Sequence, residues 1–315
     1  MKTKLTCFTT TRQRMGYALK KDWKANKLKY LMALPVLIWL FLFCYKPLYG
    51  IIIAFKDYSP GLGIIDSPWV GFKYFKEFFQ GDNFGRLLRN TLILSFYSIL
   101  FCFPIPIIFA LLTNEIKNRV VRSTAQSISF FPYFISLVVI CGMVTQFCSN
   151  DGFIGQMVKI LTGSEEVLLQ DPSKFRTIYI LSDIWQQTGF SSIIYFSALC
   201  GISNDIYEAA DIDGASRIQK LIHVSLPGIA STIIIMLILR VGQIMSMGAD
   251  KIILLYNPVT RETADIISSY IYRKGLQDFN WGLSTAVGLF NNVVNVICLV
   301  VVNKIAGKVG ETSLW

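Results

Sequence analysis

Three carboxylates, Glu208, Asp211 and Asp213, fall in the segment Glu208-Ala209-Ala210-Asp211-Ile212-Asp213-Gly214-Ala215, and Val224-Ser225-Leu226-Pro227 closes the same polar stretch. Ionised carboxylates only accept hydrogen bonds and pair with Arg or Lys. Placed between two membrane-length apolar runs, they suit docking to another protein. A loop that merely lay on the headgroups would bring these acids against an anionic inner leaflet, which would repel them. A second constellation is Arg240, Gln243 and Ser246 at three-residue spacing. A central intramembrane Arg costs about 2.5–3.5 kcal/mol on insertion scales, so such residues face a bundle interior or a cavity. This face reads equally as a substrate contact or as an interhelical hydrogen-bond cluster. Further candidates are Trp185, Gln186, Gln187 and Tyr195, an aromatic and amide set of the kind sugars favour, and the polar face of Asn291, Asn292 and Asn295. Each of these also serves as helix-packing glue.

Covalent and hydrolytic chemistry has no visible residues. No Gly-x-x-x-x-Gly-Lys-Ser/Thr phosphate loop occurs, so the chain is not expected to hydrolyse ATP itself. Neither Gly-x-Ser-x-Gly nor His-Glu-x-x-His occurs, and the one histidine, His223, lies in the polar loop as a solvated or interface residue. The seven cysteines lack metal-ligand spacing, and six of them lie in or beside apolar spans, where they act as small packing residues. No catalytic residue, metal site or cofactor is therefore expected in this chain.

The loop's local code is legible. Asn204 or Asp205 can cap a short helix, Ala209 and Ala210 continue it, and Gly214 supplies a turn where a side chain would cost energy or obstruct close approach. A second helix is expected from near Ala215, with Ile218, Leu221 and Ile222 on one face, ending at Pro227. Six stretches reach the roughly 20 apolar residues a crossing needs: Leu31–Phe55, Thr91–Leu112, Ile128–Cys148, Ile178–Cys200, Ile229–Met247 and Leu283–Val302. Lys46-Pro47 interrupts the first, so a kink or an early end is expected there.

Composition requires the bilayer as solvent: the chain is 53% hydrophobic and 16% charged. The net charge of +10 does not signal nucleic acid, because nine Lys or Arg residues lie between Lys2 and Lys29 against the single acid Asp22. That tail is a cytoplasmic anchor under the positive-inside rule. Six crossings return the C-terminus to the cytoplasm and place 201–228 there as well. The segment 56–89 mixes basic and acidic residues, so the orientation rests mainly on the tail. The expected organisation is a basic tail (1–29), a six-span domain (30–305) containing the loop 201–228, and a short cytoplasmic tail (306–315). The first apolar stretch is too long for a cleaved signal core and should remain as an anchor.

Glu-Ala-Ala, a Gly several residues on, and then Leu-Pro resemble the signature loop of permease subunits in binding-protein-dependent ABC importers. Lys46-Pro47-Leu48-Tyr49-Gly50 through Tyr58, followed by Trp69-Val70-Gly71-Phe72, is similar to the carbohydrate (maltose-type) branch serving polysaccharide and oligosaccharide uptake. The resemblance covers nearly the full length from about residue 25. One departure is that many relatives carry Pro where this chain has Asn204-Asp205; either residue can still cap a helix.

The resemblance implies an all-α membrane protein with the six-helix type I importer fold and a cytoplasmic coupling helix. It implies docking of a separate ATPase, which binds ATP and Mg, through Glu208, Ala209, Ala210, Asp213, Gly214, Ala215, Leu226 and Pro227. It points to the Arg240 face for substrate. The partners it implies are a second, different permease, two ATPase subunits and an extracellular solute-binding lipoprotein touching 56–89, 150–177 and 248–282. An ABC permease for amino acids or peptides would share the loop. An ion-coupled secondary transporter would need coupling acids and commonly shows internal repeats, neither of which stands out.

Overall fold

The computed structural model describes residues 22–314 apart from 24, 164–166, 247, 311 and 312, so most of the basic tail lies outside the described residues. Among them the only β feature is a single antiparallel bridge between Lys56 and Trp69. The elements used below are α1 (Lys27–Phe55), α2 (Lys73–Gln80), α3 (Asn83–Asn114), α4 (Arg119–Phe134), α5 (Leu137–Phe147) and α6 (Phe153–Thr162). They continue as α7 (Pro172–Leu199), α8 (Asn204–Ile212), α9 (Arg217–Gly228), α10 (Ala230–Val241), α11 (Ala249–Leu255) and α12 (Trp281–Gly310).

Among the described residues three helices, α1, α3 and α12, are long and apolar enough to cross a membrane, and two bent pairs pass the same test together. Lys46-Pro47 does not end α1. The winding opens over Phe41–Tyr45 and tightens over Lys46–Phe55 while the helix continues. The expected third span is not one straight helix: α4 and α5 meet at 97°. Pro132 cannot donate to the preceding turn, Ile135 adopts extended backbone and Ser136 also leaves the helical region, each with ψ 137°. The 59° bend between α9 and α10 falls at the expected start of the fifth span, just after Pro227, where Ile229 leaves the helical region. Regular helix then stops at Val241, and Met247, the expected end of that span, lies outside the described residues.

The central element is α7, 28 residues or about 42 Å long, which is ample for a crossing although its composition is too polar to qualify as one alone. It buries Ser182, Gln186 and Ser192 against neighbouring helices rather than showing them to lipid. At Gly189 an added Cβ would lie 2.0 Å from the Ser129 carbonyl oxygen, so α7 and α4 touch backbone to backbone where only glycine fits. Asp171 caps α7, accepting from the Ser173 amide at 2.8 Å and hydroxyl at 2.7 Å, with Lys174 3.1 Å away. The Ser173 bonds chiefly hold its carboxyl down to about 2. The charged cap is therefore fully present above the ordinary carboxylate range and is lost only as pH falls through about 2. With α7 counted beside α1, α3, α12 and the two bent pairs, the described residues offer six candidate crossings.

Three apolar clusters hold the bundle. One joins Ile140, Tyr179 and Ile252, a second joins Leu87, Met245, Ile267 and Val287, and a third, beside the 201–228 loop, joins Ile107, Tyr195, Leu199 and Ile229. At the end opposite that loop a buried polar network ties the elements together. Asp265 is fully buried and accepts from Arg273 Nη1 at 3.1 Å and Nη2 at 2.7 Å, and from Ser269 Oγ at 2.7 Å. Its carbonyl accepts from Asn90 Nδ2 at 3.0 Å, and Asn90 Oδ1 accepts from Arg176 at 2.8 Å. Asp265→Ala would strand the Arg273 guanidinium, at a cost of about 3–5 kcal/mol. A marked fall in the melting temperature of the detergent-solubilised protein is expected; an unchanged melt would mean that Arg273 is solvated without its partner.

Candidate functional site

The loop between α7 and α10 is built as a rigid, protruding pair of helices. Ser203, not Asn204 or Asp205, caps α8, its Oγ accepting from the Asp205 amide at 3.3 Å. Asn204 instead becomes the first helical residue because the chain turns one residue earlier. The C-terminus closes in a Schellman arrangement: Gly214 N–H donates to Asp211 O at 3.1 Å and Ala215 N–H to Ala210 O at 2.9 Å. This places Gly214 at φ +74°, in the left-handed region. Among the described residues, chain neighbours aside, nothing lies within 4 Å of a Cβ built there, so conformation, not internal crowding, requires the glycine.

Helix α9 begins with a capping box, in which Ser216 N–H donates to Gln219 Oε1 at 2.7 Å and Gln219 N–H to Ser216 Oγ at 3.4 Å. Lys220 Nζ lies 2.6 Å from Asp211 Oδ1, linking the two short helices, and Tyr207 and Ser225 share a 2.9 Å hydroxyl contact. Sequence reasoning missed both links because they join residues on different helices. Leu221 and Ile202 pack on the third apolar cluster, anchoring the loop to both α7 and α10.

What remains outward is an apolar ridge beside acids. Ile212 is 87% and Ile218 70% exposed, with Ile206 and Ile222 about half exposed. Glu208, Ala209, Asp213, Leu226 and Pro227 are exposed, and Ala210 and Ala215 are half-buried. Glu208 forms no ion pair with the described residues, so its acceptors face outward. The expected apolar face therefore divides: Leu221 turns in, whereas Ile218 and Ile222 turn out.

Deeper in the bundle, two adjoining recesses of about 340 and 660 Å³ share Asp183, Gln187, Arg240 and Gln243 as lining. Beyond Val241 the chain makes three-residue turns, Gln243 N–H donating to Arg240 O, Ile244 to Val241 and Ser246 to Gln243. At three residues per turn, side chains three apart eclipse. This is why Arg240, Gln243 and Ser246 all reach the smaller recess. Arg240 Nη2 donates to Ser98 Oγ at 2.5 Å, and its Nε is buried without a partner. Gln186 is 4% exposed, and its Oε1 also lacks a partner at the recess wall. Lys251, buried on α11, pairs with Asp183 at 3.4 Å.

The structure separates the remaining candidates. Tyr195 lines the larger recess. Trp185 does not join the polar lining; it borders an apolar recess with Phe147, Ile154 and Leu181. Asn291 Nδ2 donates to Ser246 Oγ at 2.9 Å and Asn295 Nδ2 to the same oxygen at 2.7 Å, so these amides brace the turn that carries the cavity residues. Asn292 is exposed on the other side of α12. Asp183 and Lys251 have no sequence signature as a pair, since 68 residues separate them.

A helical bundle of apolar spans with polar recesses between them and a capped helix pair held out at one end fits a membrane permease. Residues 78–310 match the family of binding-protein-dependent transport system inner membrane components, and the chain belongs to that family. It is similar to Protein LplB of Bacillus subtilis, 41% identical with 95% of this chain and 93% of the relative covered. It is also similar to the polygalacturonan/rhamnogalacturonan transport system permease protein YteP of Bacillus subtilis, 38% identical with 92% and 91% covered. Among solved structures it matches a chain of a bacterial ABC transporter involved in the import of the acidic polysaccharide alginate. That match has a TM-score of 0.86 and 41% identity, covering 93% of this chain and 99% of that one. The ion-coupled alternative falls with this membership.

Proposed function

We propose that this chain is the permease subunit of an ATP-driven importer for acidic oligosaccharides. The carrying observation is Arg240: a guanidinium at the wall shared by both recesses, bonded to a neutral hydroxyl and paired with no carboxylate among the described residues. An intramembrane cation left without a counter-ion suits a ligand that brings one. Polygalacturonan in the name of one relative and alginate in the description of the matched transporter give the ligand class: sugars bearing carboxylates. The same names favour sugar over amino acids or peptides.

The termini and the 201–228 loop then lie on the cytoplasmic side. A separate ATPase, binding ATP and Mg, seats the α8–α9 pair in a groove, with Glu208 accepting from a basic residue there and the isoleucine ridge buried beneath. ATPase closure moves this pair and with it α7 and α10, biasing the permease between inward- and outward-facing states. A second, different permease completes the path, two ATPase subunits supply the energy, and a solute-binding lipoprotein delivers the sugar to 56–89, 150–177 and 248–282.

The test is uptake by proteoliposomes holding the full transporter and its binding protein, given trigalacturonate or its methyl ester. ATP-dependent uptake of the acid at least about tenfold above the ester is expected from one charge contact. Uptake without ATP, or equal uptake of both probes, would sink the reading.

A further inference from the structure

Lys251 is only 4% exposed, and nothing in the transport reading so far uses it. It is the third residue of α11, and its neighbours Gly248, Ala249 and Asp250 form the wall of the smaller recess with it. Ile252 is fully buried and Leu255 nearly so, in the cluster that contains Tyr179, so α11 is pinned and Lys251 cannot swing outward as a surface lysine does. Its ammonium lies 5.4 Å from the Tyr179 ring centroid and 3.4 Å from Asp183 Oδ1.

A well-made ammonium–carboxylate hydrogen bond is about 2.7–2.9 Å long. At 3.4 Å the contact satisfies the charge loosely and is open to exchange with a better-placed anion. Asp183 sits on α7 and faces both recesses, so the pair spans the boundary between them and bridges α7 to α11. Two further groups specify what would replace Asp183. Arg240 borders the same space with its Nε unpartnered, and Gln186, 4% exposed, presents an unpartnered Oε1 there. Cations beside a free amide acceptor fit a ligand that carries both a carboxylate and hydroxyl donors.

We propose that the Lys251–Asp183 pair is a carboxylate-exchange latch: the carboxylate of an incoming sugar acid takes over the Lys251 ammonium, Asp183 is released, and the tie between α7 and α11 opens. Lys251 is thereby a specificity-determining residue and Asp183 the internal anion that holds its place in the empty cavity. This rests on the acidic-oligosaccharide reading above. It adds that affinity for acids is set by competition between two carboxylates for one ammonium.

The test uses the full transporter with its binding protein in proteoliposomes, with trigalacturonate and its methyl ester as probes. The quantity read is each variant's KM relative to wild type, a ratio from which discrimination by the unaltered binding protein cancels. Lys251→Gln is expected to raise the KM for the acid about tenfold while that for the ester stays within about twofold. Asp183→Asn, which removes the competitor, is expected to lower the KM for the acid about threefold or more without changing that for the ester. Each single variant strands one buried charge, the Asp183 carboxylate or the Lys251 ammonium, and can lose the fold. The double variant Asp183→Asn/Lys251→Gln leaves no orphan charge and is expected to match the tenfold loss for the acid. Acid-to-ester KM ratios that stay at the wild-type value in Asp183→Asn and in the double variant, with the wild type selective for the acid, would overturn the latch and leave the acidic-substrate reading standing. A wild type that does not distinguish acid from ester would overturn that reading, and the latch with it.

Discussion

Gly214→Trp is expected to abolish ATP-dependent uptake, by a hundredfold or more, while the protein still reaches the membrane. The backbone at 214 sits at φ +74°, where a residue other than glycine costs about 1–2 kcal/mol. That cost falls on one exposed turn and leaves the bundle intact. Among the described residues, chain neighbours aside, nothing lies within 4 Å of a Cβ at 214, so the further penalty is expected outside the chain, in the ATPase groove proposed above to receive the loop. Losing a seated contact worth about 3 kcal/mol accounts for the hundredfold. Gly214→Asn separates the two causes, because Asn tolerates the left-handed region but still adds bulk. If docking sterics dominate, both variants lose uptake and lose the ATPase on co-purification. If backbone strain dominates, Asn retains most of the activity. Full uptake by the Trp variant would remove the docking role altogether.

Arg240→Gln carries the second large effect: uptake of trigalacturonate is expected to fall about a hundredfold, with the methyl ester changed by less than about threefold. Truncating one partner of a desolvated charge contact commonly costs 2–5 kcal/mol, and the ester makes no such contact. Glutamine is two bonds shorter than arginine and gives up the Ser98 contact as well, a loss that acid and ester share, so the difference between the two probes reads the charge. Arg240→Lys should recover part of the acid uptake, since it restores charge without the planar fork that reaches Ser98 Oγ. A glutamine variant that carries acid and ester as the wild type does would assign Arg240 to helix packing.

The contrast between loop and cavity explains how much was legible in advance. Helix ends, glycine turns and proline stops are settled by neighbours a few residues away, so the two short helices around Gly214 could be anticipated, with the first cap shifted to Ser203 and the second helix starting at Arg217. The broken spans were less accessible. Ile128–Cys148 is apolar enough to pass as one span, but hydropathy measures solvent preference and carries no information about where a helix turns; Pro132 was the local mark there, as Pro227 was for the bend before the fifth span. In the other direction, α7 is polar enough to be a poor crossing on composition and yet is the central helix, because its glutamines and serines face protein instead of lipid.

By itself the sequence determined the membrane class, the approximate apolar spans, the helix pair around Gly214 and the want of a phosphate loop, all of which reside in composition or in residues close along the chain. Only the tertiary structure decided which polar side chains share a cavity. It set Lys251 against Asp183, turned Arg240 toward Ser98, 142 residues away, assigned Asn291 to bracing Ser246, and sent Trp185 to an apolar recess. Such meetings depend on how helices from distant parts of the chain cross. Those crossings follow from close packing at points such as Gly189 against Ser129, and no local pattern records them.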